Sequence, residues 1–171
     1  MKKISAGIII LIIAVIVLAF QYVNGDGPFK KSEGDMRGET YLVKRVIDGD
    51  TIIVDKDGQD ERVRLIGVDT PETVKPNTPV QPYGKAASDF TKKHLTHQRV
   101  KLEYDRERQD KYGRTLAYVW LGDEMFNVTL AKEGLARAKF YRPNEKYRIL
   151  IEQAQKEAQK QHLNIWDQKS H

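Results

Sequence analysis

Two short acidic stretches of the chain contain residue types that suit cation binding. The first is Asp48-Gly49-Asp50, and the second is Asp69-Thr70-Pro71-Glu72. Hard cations such as Ca²⁺ take carboxylate, carbonyl and water oxygens, and a carboxylate can also draw a proton from water. The two stretches therefore supply candidates for a metal site and for a general base.

Two arginines add candidates for binding an anion. Arg64 lies five residues before Asp69, and Arg114 ends the segment Asp110-Lys111-Tyr112-Gly113-Arg114. A guanidinium holds phosphate through paired N–H donors and stays charged at any working pH. Hydrolysis of a phosphodiester needs groups that neutralise the phosphate, activate water and stabilise the developing charge. These residue types together match that chemistry.

Each of these signals also has an ordinary structural explanation. Asp48-Gly49-Asp50 is rich in turn formers, and Thr70-Pro71-Glu72 has the composition of a helix cap. Arg64 shares a face with Ile66 and Val68 by strand parity, which favours a bound anion, whereas an edge strand would leave it in solvent. Arg114 alone would be a solvated loop arginine. The spacing by itself leaves both interpretations open.

The elements that must position these residues begin with three β-rich runs. They extend from Tyr41 to Ile47, from Thr51 to Val54 and from Arg62 to Val68, and Asp57-Gly58 is typical of a hairpin turn. We expect three consecutive antiparallel strands. The two acidic stretches follow the first and third strands, so they need not lie far apart in space.

Helical and further β patterns follow. A helix is predicted from Tyr83 to Leu95, strands from Arg99 to Tyr104 and from Thr115 to Leu121, and helices from Phe126 to Leu135 and from near Asn144. The apolar stripe of the first helix comprises Tyr83, Ala86, Ala87, Phe90 and His94, and that of the last Tyr147, Leu150, Ile151, Ala154 and Ala158. Five strands with a helix after the third predict an α+β fold, a five-stranded OB-type barrel capped by three helices.

Composition limits the possible classes of protein. A chain of 171 residues has room for one ordinary domain and a short appendage. The formal net charge of +5 favours acidic partners such as nucleic acid or an anionic membrane. The absence of cysteine excludes disulfides, thiolate metal sites and thiol nucleophiles. Any metal must therefore bind to oxygen or imidazole ligands.

Residues 1–25 are predicted to be a signal anchor or a signal peptide. After Lys2 and Lys3 there are 22 uncharged residues from Ile4 to Gly25, and a helix of that length would span a hydrocarbon core of about 30 Å. Lysines before the segment place the amino terminus inside. Val17-Leu18-Ala19 is a poor cleavage site, which favours a retained anchor over a cleaved leader. We expect the protein at the extracellular face of the membrane, or secreted after cleavage.

The rest of the chain divides into three parts. Residues 26–40 are rich in glycine and charge and are predicted to be a flexible linker. Residues 41–167 form the predicted barrel domain, and residues 168–171 a short tail. We expect a monomer.

The order of four separated motifs resembles the thermonuclease family, the staphylococcal-nuclease-like enzymes. The motifs are Val46-Ile47-Asp48-Gly49-Asp50-Thr51, Arg64-Leu65-Ile66-Gly67-Val68-Asp69-Thr70-Pro71-Glu72, Asp110-Lys111-Tyr112-Gly113-Arg114 and Asn164-Ile165-Trp166. The resemblance extends from about Tyr41 to Trp166 with little insertion. It implies an OB-fold barrel with three helices and Ca²⁺-dependent hydrolysis of DNA and RNA to 3′-phosphate products.

The resemblance also implies a role for individual residues. Asp50 and Asp69 would be carboxylate ligands of calcium, and Thr70 would offer its backbone carbonyl. Glu72 would be the general base, while Arg64 and Arg114 would bind the phosphate and stabilise the transition state. Asp48 would stand near the metal without being a direct ligand.

Four further residues are expected to contact the nucleotide: Lys111, Tyr112, Lys139 and Tyr141. An aromatic face can stack on a base with about 1 to 3 kcal/mol, although loop packing explains the two tyrosines equally well. Lys139 departs from the family pattern, which commonly has a tyrosine there, so it would add a phosphate contact instead of a stacking surface. The bond between Arg142 and Pro143 can be cis in such a fold.

Two other classes of protein remain as alternatives. A non-catalytic OB barrel would hold single-stranded nucleic acid in a basic groove without cutting it. A membrane-surface adaptor would explain the leader and the basic charge but not the acidic turns. A nicking assay with calcium and then with a chelator separates these functions.

Overall fold

The computed structural model describes residues 39–73 and 81–167. The predicted leader (1–25), nearly all of the predicted linker (26–40) and the tail (168–171) lie outside the described residues. Within the two described stretches, none of the helices combines the length and the hydropathy that a bilayer-spanning segment needs.

Eight strands make up the β-structure of residues 39–73 and 81–167. They are β1 (Thr40–Asp48), β2 (Thr51–Lys56), β3 (Gln59–Leu65), β4 (Val68–Asp69), β5 (Arg99–Glu103), β6 (Thr115–Leu121), β7 (Glu124–Met125) and β8 (Arg137–Ala138). The main sheet has the order β3-β2-β1-β5-β6-β7, and a parallel pairing between β3 and β6 closes it. The five long strands therefore form the predicted closed barrel.

The third predicted strand is interrupted, which corrects its expected course. Strand β3 ends at Leu65, and Gly67 turns the chain with a φ of 77° before β4 begins. A side chain at Gly67 would come within 2.5 Å of the Phe140 ring, so only glycine fits there. Strand β4 then pairs antiparallel with β8, outside the barrel sheet. The expected parity between Arg64 and Val68 along a single strand is therefore wrong.

Within the described part of the chain, three helices and one short 3₁₀ turn cover the barrel. They are α1 (Gly84–Leu95), α2 (Phe126–Lys132), α3 (Arg148–Lys160) and the turn Asn164–Trp166. Helix α2 is shorter than predicted because Gly134, with a φ of 65°, follows it closely.

The buried face of α1 is rotated from the predicted apolar stripe. It consists of Gly84, Ala87, Ser88, Thr91 and Leu95, whereas Ala86 is exposed. Small and hydroxyl side chains allow α1 to approach the turn after β1 closely. Thr91 Oγ1 donates a hydrogen bond of 2.7 Å to the carbonyl of Gly49. Apolar periodicity could not reveal this polar contact.

Helix α3 begins at Arg148, so the prediction that Asn144 caps it is wrong. The Asn144 amide group is instead hydrogen-bonded to the backbone N–H and C=O of Glu107, both at 2.8 Å. The predicted stripe also needs correction, because Leu150 is 45% exposed while Ile151, Ala154 and Ala158 are buried.

Candidate active site

A single cleft of about 650 Å³ is lined by all ten residues for which the sequence predicts a role. These residues are Asp50, Arg64, Asp69, Thr70, Glu72, Lys111, Tyr112, Arg114, Lys139 and Tyr141. They come from five separate parts of the chain, which the closed barrel and the β4–β8 pairing bring together. The structure thus gives these residues one shared location, while their individual roles remain predictions.

Arg64 bridges the two carboxylates predicted to bind metal. Its Nη2 atom lies 3.1 Å from Asp50 Oδ2 and 3.0 Å from Asp69 Oδ1. Its Nη1 atom donates to the carbonyls of Leu65 and Val68 at 2.8 and 2.7 Å. Leu65 is the last residue of β3 and Val68 the first residue of β4, so these two carbonyls flank the turn between the strands. The turn therefore holds the guanidinium in one orientation between the two acids.

The two acidic stretches are joined directly through Asp50 and Thr70. The backbone N–H and the hydroxyl of Thr70 donate to Asp50 Oδ2 at 2.9 and 3.1 Å, and Thr51 Oγ1 donates to Asp50 Oδ1 at 3.1 Å. A side chain at Gly49 would come within 2.8 Å of Thr70 and 3.0 Å of Ala87. Gly49 was not singled out by the sequence, yet its lack of a Cβ permits this close approach.

The donor set of the cleft is compatible with a hard cation. Asp50 and Asp69 already share one cationic nitrogen atom of Arg64, so both carboxylates are within reach of a single positive charge. Ca²⁺ takes six to eight oxygen ligands, whereas two carboxylates and the Thr70 carbonyl offer only a few. No group of three or more His, Asp or Glu side chains in residues 39–73 and 81–167 is arranged to hold a metal ion. Water would therefore have to complete the coordination.

Lys139 lies beside Asp69 because β8 pairs with β4. The Lys139 backbone N–H donates to the Gly67 carbonyl at 3.0 Å, and its ammonium group lies 2.8 Å from Asp69 Oδ2. The hydrogen bond to Asp69 raises the pKa of Lys139 above its ordinary value. The same ammonium lies 5.8 Å from the centre of the Tyr141 ring, which is 69% exposed. Lys139 thus connects a predicted metal ligand with a predicted stacking surface.

The loop that carries Arg114 is organised by Asp110. Asp110 Oδ1 accepts hydrogen bonds from the backbone N–H groups of Tyr112 and Arg114 at 2.9 and 3.0 Å, and Oδ2 accepts one from Arg114 Nε at 2.6 Å. Burial alone would raise the pKa of Asp110, but the hydrogen bonds from Arg114 and Tyr112 outweigh it and lower that pKa. The Tyr112 ring is 72% exposed and available to a ligand.

Asn144 joins the two loops that border the cleft. It is only 4% exposed, and its two hydrogen bonds to Glu107 connect the chain after Tyr141 to the segment that precedes Asp110. The peptide bond between Arg142 and Pro143 in this region is cis. Sequence reasoning assigned Asn144 to a helix cap and missed this contact, because its partner lies 37 residues away.

Glu72 lines the cleft and is held through its backbone. Its N–H donates to Gln81 Oε1 at 3.0 Å, and its carbonyl accepts from the Gln81 N–H at 3.0 Å. The nearby carboxylate of Asp48 also lines the cleft. Burial, together with the charges of Asp50 and Glu72, raises the pKa of Asp48 against the opposing effect of hydrogen bonds from Thr73 and Gly49.

Comparison with known proteins agrees with this arrangement. The family model described as "Staphylococcal nuclease homologue" matches residues 62–168. A thermonuclease of Staphylococcus intermedius is 85% identical over 98% of this chain and 99% of its own length, and one of Staphylococcus hyicus is 68% identical over 97% and 99%. Endonuclease YncB of Bacillus subtilis is 48% identical over 71% of this chain and 59% of its own length. This chain therefore belongs to the staphylococcal nuclease family.

Proposed function

We propose that this chain is a calcium-dependent endonuclease that hydrolyses DNA and RNA to 3′-phosphate products. In this proposal Asp50, Asp69 and the Thr70 carbonyl bind Ca²⁺, and Glu72 is the general base. Arg64 and Arg114 bind the reacting phosphate. The residues that contact the nucleotide are Lys111, Tyr112, Lys139 and Tyr141.

The chain is an endonuclease, because it belongs to the staphylococcal nuclease family and is 85% and 68% identical to two thermonucleases over nearly its whole length. Its substrates are accordingly nucleic acids. The finer assignment, of the metal and of individual residues, is our proposal.

One observation supports the residue assignment most directly. The proposed metal ligands, the base and the two arginines all line the same cleft, and Arg64 contacts both Asp50 and Asp69. A phosphodiester that entered would meet guanidinium groups, carboxylates and an exposed aromatic ring within one volume of about 650 Å³. These groups supply the charge neutralisation and the proton acceptor that hydrolysis requires.

The proposed reaction assigns one task to each group. Glu72 takes a proton from the water molecule that attacks phosphorus, the bond between phosphorus and the 5′-oxygen breaks, and the released 5′-oxygen takes up a proton from solvent to become a hydroxyl. Arg64 and Arg114 donate hydrogen bonds to the phosphate oxygens, whose negative charge increases in the transition state. Calcium, held by Asp50, Asp69 and the Thr70 carbonyl, would supply further positive charge to the site. Tyr112 and Tyr141 hold the base or sugar and so fix the position of the phosphate.

A nicking assay tests the proposal. Supercoiled plasmid is incubated with the protein and Ca²⁺, with Mg²⁺, or with a calcium chelator, and the ends of the products are analysed. We expect cutting only with Ca²⁺, and we expect the products to carry 3′-phosphate ends. Equal cutting in the chelator would contradict the calcium assignment, and binding without cutting would favour the non-catalytic OB module.

We also propose an extracellular location, based on the leader in residues 1–25. A calcium site with few carboxylates would have a dissociation constant of roughly 10⁻⁴ to 10⁻³ M, which is typical of extracellular modules. Such a site would be largely empty in the cytosol. The mass of the protein in membrane and medium fractions distinguishes a retained anchor from a cleaved leader. Full activity at micromolar calcium would count against this location.

A further inference from the structure

A buried carboxylate outside the proposed metal ligands contacts the segment that carries Glu72. Asp48 is only 7% exposed. Its Oδ1 atom accepts a hydrogen bond of 2.7 Å from Thr73 Oγ1 and one of 2.8 Å from the Gly49 N–H. The first bond spans 25 residues of sequence and joins the last residue of β1 to the residue that directly follows Glu72.

The Asp48 end of this contact is rigid. The turn that directly follows Asp48 is fixed by the hydrogen bond from the buried Thr91 to the Gly49 carbonyl and by the close approach of Gly49 to Thr70. Buried polar groups with satisfied hydrogen bonds have little freedom to move. Asp48 can therefore serve as a fixed anchor point for Thr73.

The Glu72 end is held by further contacts of the backbone. Gln81 exchanges two hydrogen bonds with the backbone of Glu72. A Cβ at Gly84 would lie 2.8 Å from Thr73 Cγ2 and 3.0 Å from the Glu72 carbonyl oxygen. The segment therefore packs against the first turn of α1. Thr73 supplies a side-chain bond from this segment to the last residue of β1.

We propose that Asp48 and Thr73 form a positioning pair that fixes Glu72 in the cleft. Neither residue reacts with the substrate. The hydroxyl of Thr73 and the carboxylate of Asp48 hold the backbone of Glu72 at the distance from the phosphate that proton transfer requires. This inference rests on the proposed role of Glu72 as general base.

Geometry explains why such a pair matters for rate more than for binding. A displacement of about 1 Å in a reacting group can cost roughly 10²-fold in rate. The nucleotide contacts of Tyr112, Arg114 and Tyr141 belong to other loops, so loss of the Asp48–Thr73 bond leaves them in place. The expected signature is a lower kcat with an almost unchanged KM.

Substitutions at both ends of the bond test the proposal. Thr73→Val removes the hydroxyl at constant shape, and we expect kcat to fall by about tenfold or more while KM changes less than about twofold. Thr73→Ser, which restores the hydroxyl, should recover most of the loss. Asp48→Ala should lower kcat as much as Thr73→Val does. Asp48→Asn should lower kcat less, because it keeps an acceptor oxygen. The double variant should have a kcat no lower than that of the slower single variant.

A matched control and a second readout separate positioning from a general loss of stability. Thr129→Val removes a comparable half-buried hydroxyl in α2, whose partner is the Met125 carbonyl, and should leave kcat unchanged.

Thr73→Val should also accelerate hydrogen exchange at the Glu72 amide in the absence of substrate. The urea midpoints of Thr73→Val and wild type are compared in parallel. A wild-type protein that does not cut nucleic acid would refute the proposed function, while the exchange result would still test the anchor. Unchanged kcat and unchanged Glu72 exchange in Thr73→Val would overturn the positioning pair.

Discussion

Arg64 and Asp69 form an ion pair in which Nη2 lies 3.0 Å from Oδ1. Arg64 Nη2 also contacts Asp50, and Asp69 also contacts Lys139 through its other carboxylate oxygen, Oδ2. A predicted phosphate ligand and a predicted metal ligand are thus in direct contact. In the proposed function this contact would set the distance between the bound phosphate and the metal ion, so changes to either residue should affect the binding of both.

Replacing Glu72 by Gln should remove the proton acceptor while keeping the size of the side chain. We expect kcat to fall by about a hundredfold or more, on the scale usual for a positioned base, with nucleotide binding retained. Plasmid cutting and the affinity for a nucleotide are measured in parallel. Glu124→Gln, at an exposed position that does not line the cleft, is the matched control. Near-normal turnover in Glu72→Gln would refute the assignment of the base.

Replacing Arg64 by Lys keeps the charge but loses the planar arrangement of donors. Arg64 makes hydrogen bonds to the carbonyls of Leu65 and Val68 and to Asp69, which one ammonium group cannot reproduce together. We expect kcat to fall by at least about tenfold, as for loss of one transition-state donor. Arg45→Lys, at an exposed residue paired with Asp60, should have no such effect. Equal kcat in Arg64→Lys and wild type would show that a point charge is sufficient.

Replacing Lys139 by Met removes a cation from the proposed metal ligand Asp69. The two side chains are 47% and 36% exposed, so their interaction is worth at most about 1 kcal/mol. We therefore expect Ca²⁺ to bind up to about fivefold more tightly, measured by calorimetry with the metal alone. Lys85→Met, which breaks the exposed pair with Asp89, should leave the affinity unchanged. Weaker calcium binding in Lys139→Met would contradict this prediction.

Replacing Asp110 by Asn should loosen the loop that carries Arg114. The pKa of Asp110 is lowered in the folded protein, so its contribution to stability is present above the unfolded pKa and is lost as pH falls through the folded pKa. We expect Asp110→Asn to lower the free energy of unfolding by about 1 to 3 kcal/mol at neutral pH. The difference in the free energy of unfolding between Asp110→Asn and wild type should become smaller as the pH is lowered.

Urea unfolding of both proteins between pH 7 and pH 2 measures the Asp110 effect. Asp123→Asn, at an exposed turn position, is the control. A difference between Asp110→Asn and wild type that stays constant with pH would show that the carboxylate charge is not responsible.

The amino-acid sequence by itself determined the barrel and the set of candidate site residues. Short runs rich in β-branched and aromatic residues, bounded by turn formers, predicted the five long strands. The four ordered motifs resemble those of the staphylococcal-nuclease-like enzymes, and this resemblance supplied Asp50, Arg64, Glu72 and Arg114 as candidate site residues. The strand pattern is local and can be detected from neighbouring residues, whereas the candidate site residues were found from the order of the separated motifs.

Only the tertiary structure decided how those residues meet. The break at Gly67, the pairing of Asp69 with Lys139, the contact of Asn144 with Glu107 and the bond between Asp48 and Thr73 all depend on atoms far apart in sequence. From its local sequence Asn144 resembles a helix cap, and only the folded chain brings it to the two backbone groups of Glu107. Asp48 likewise resembles an ordinary turn residue, and only the folded chain brings it to Thr73. Hydrogen bonds of this kind form only after the chain has folded, which is why local sequence patterns cannot specify them.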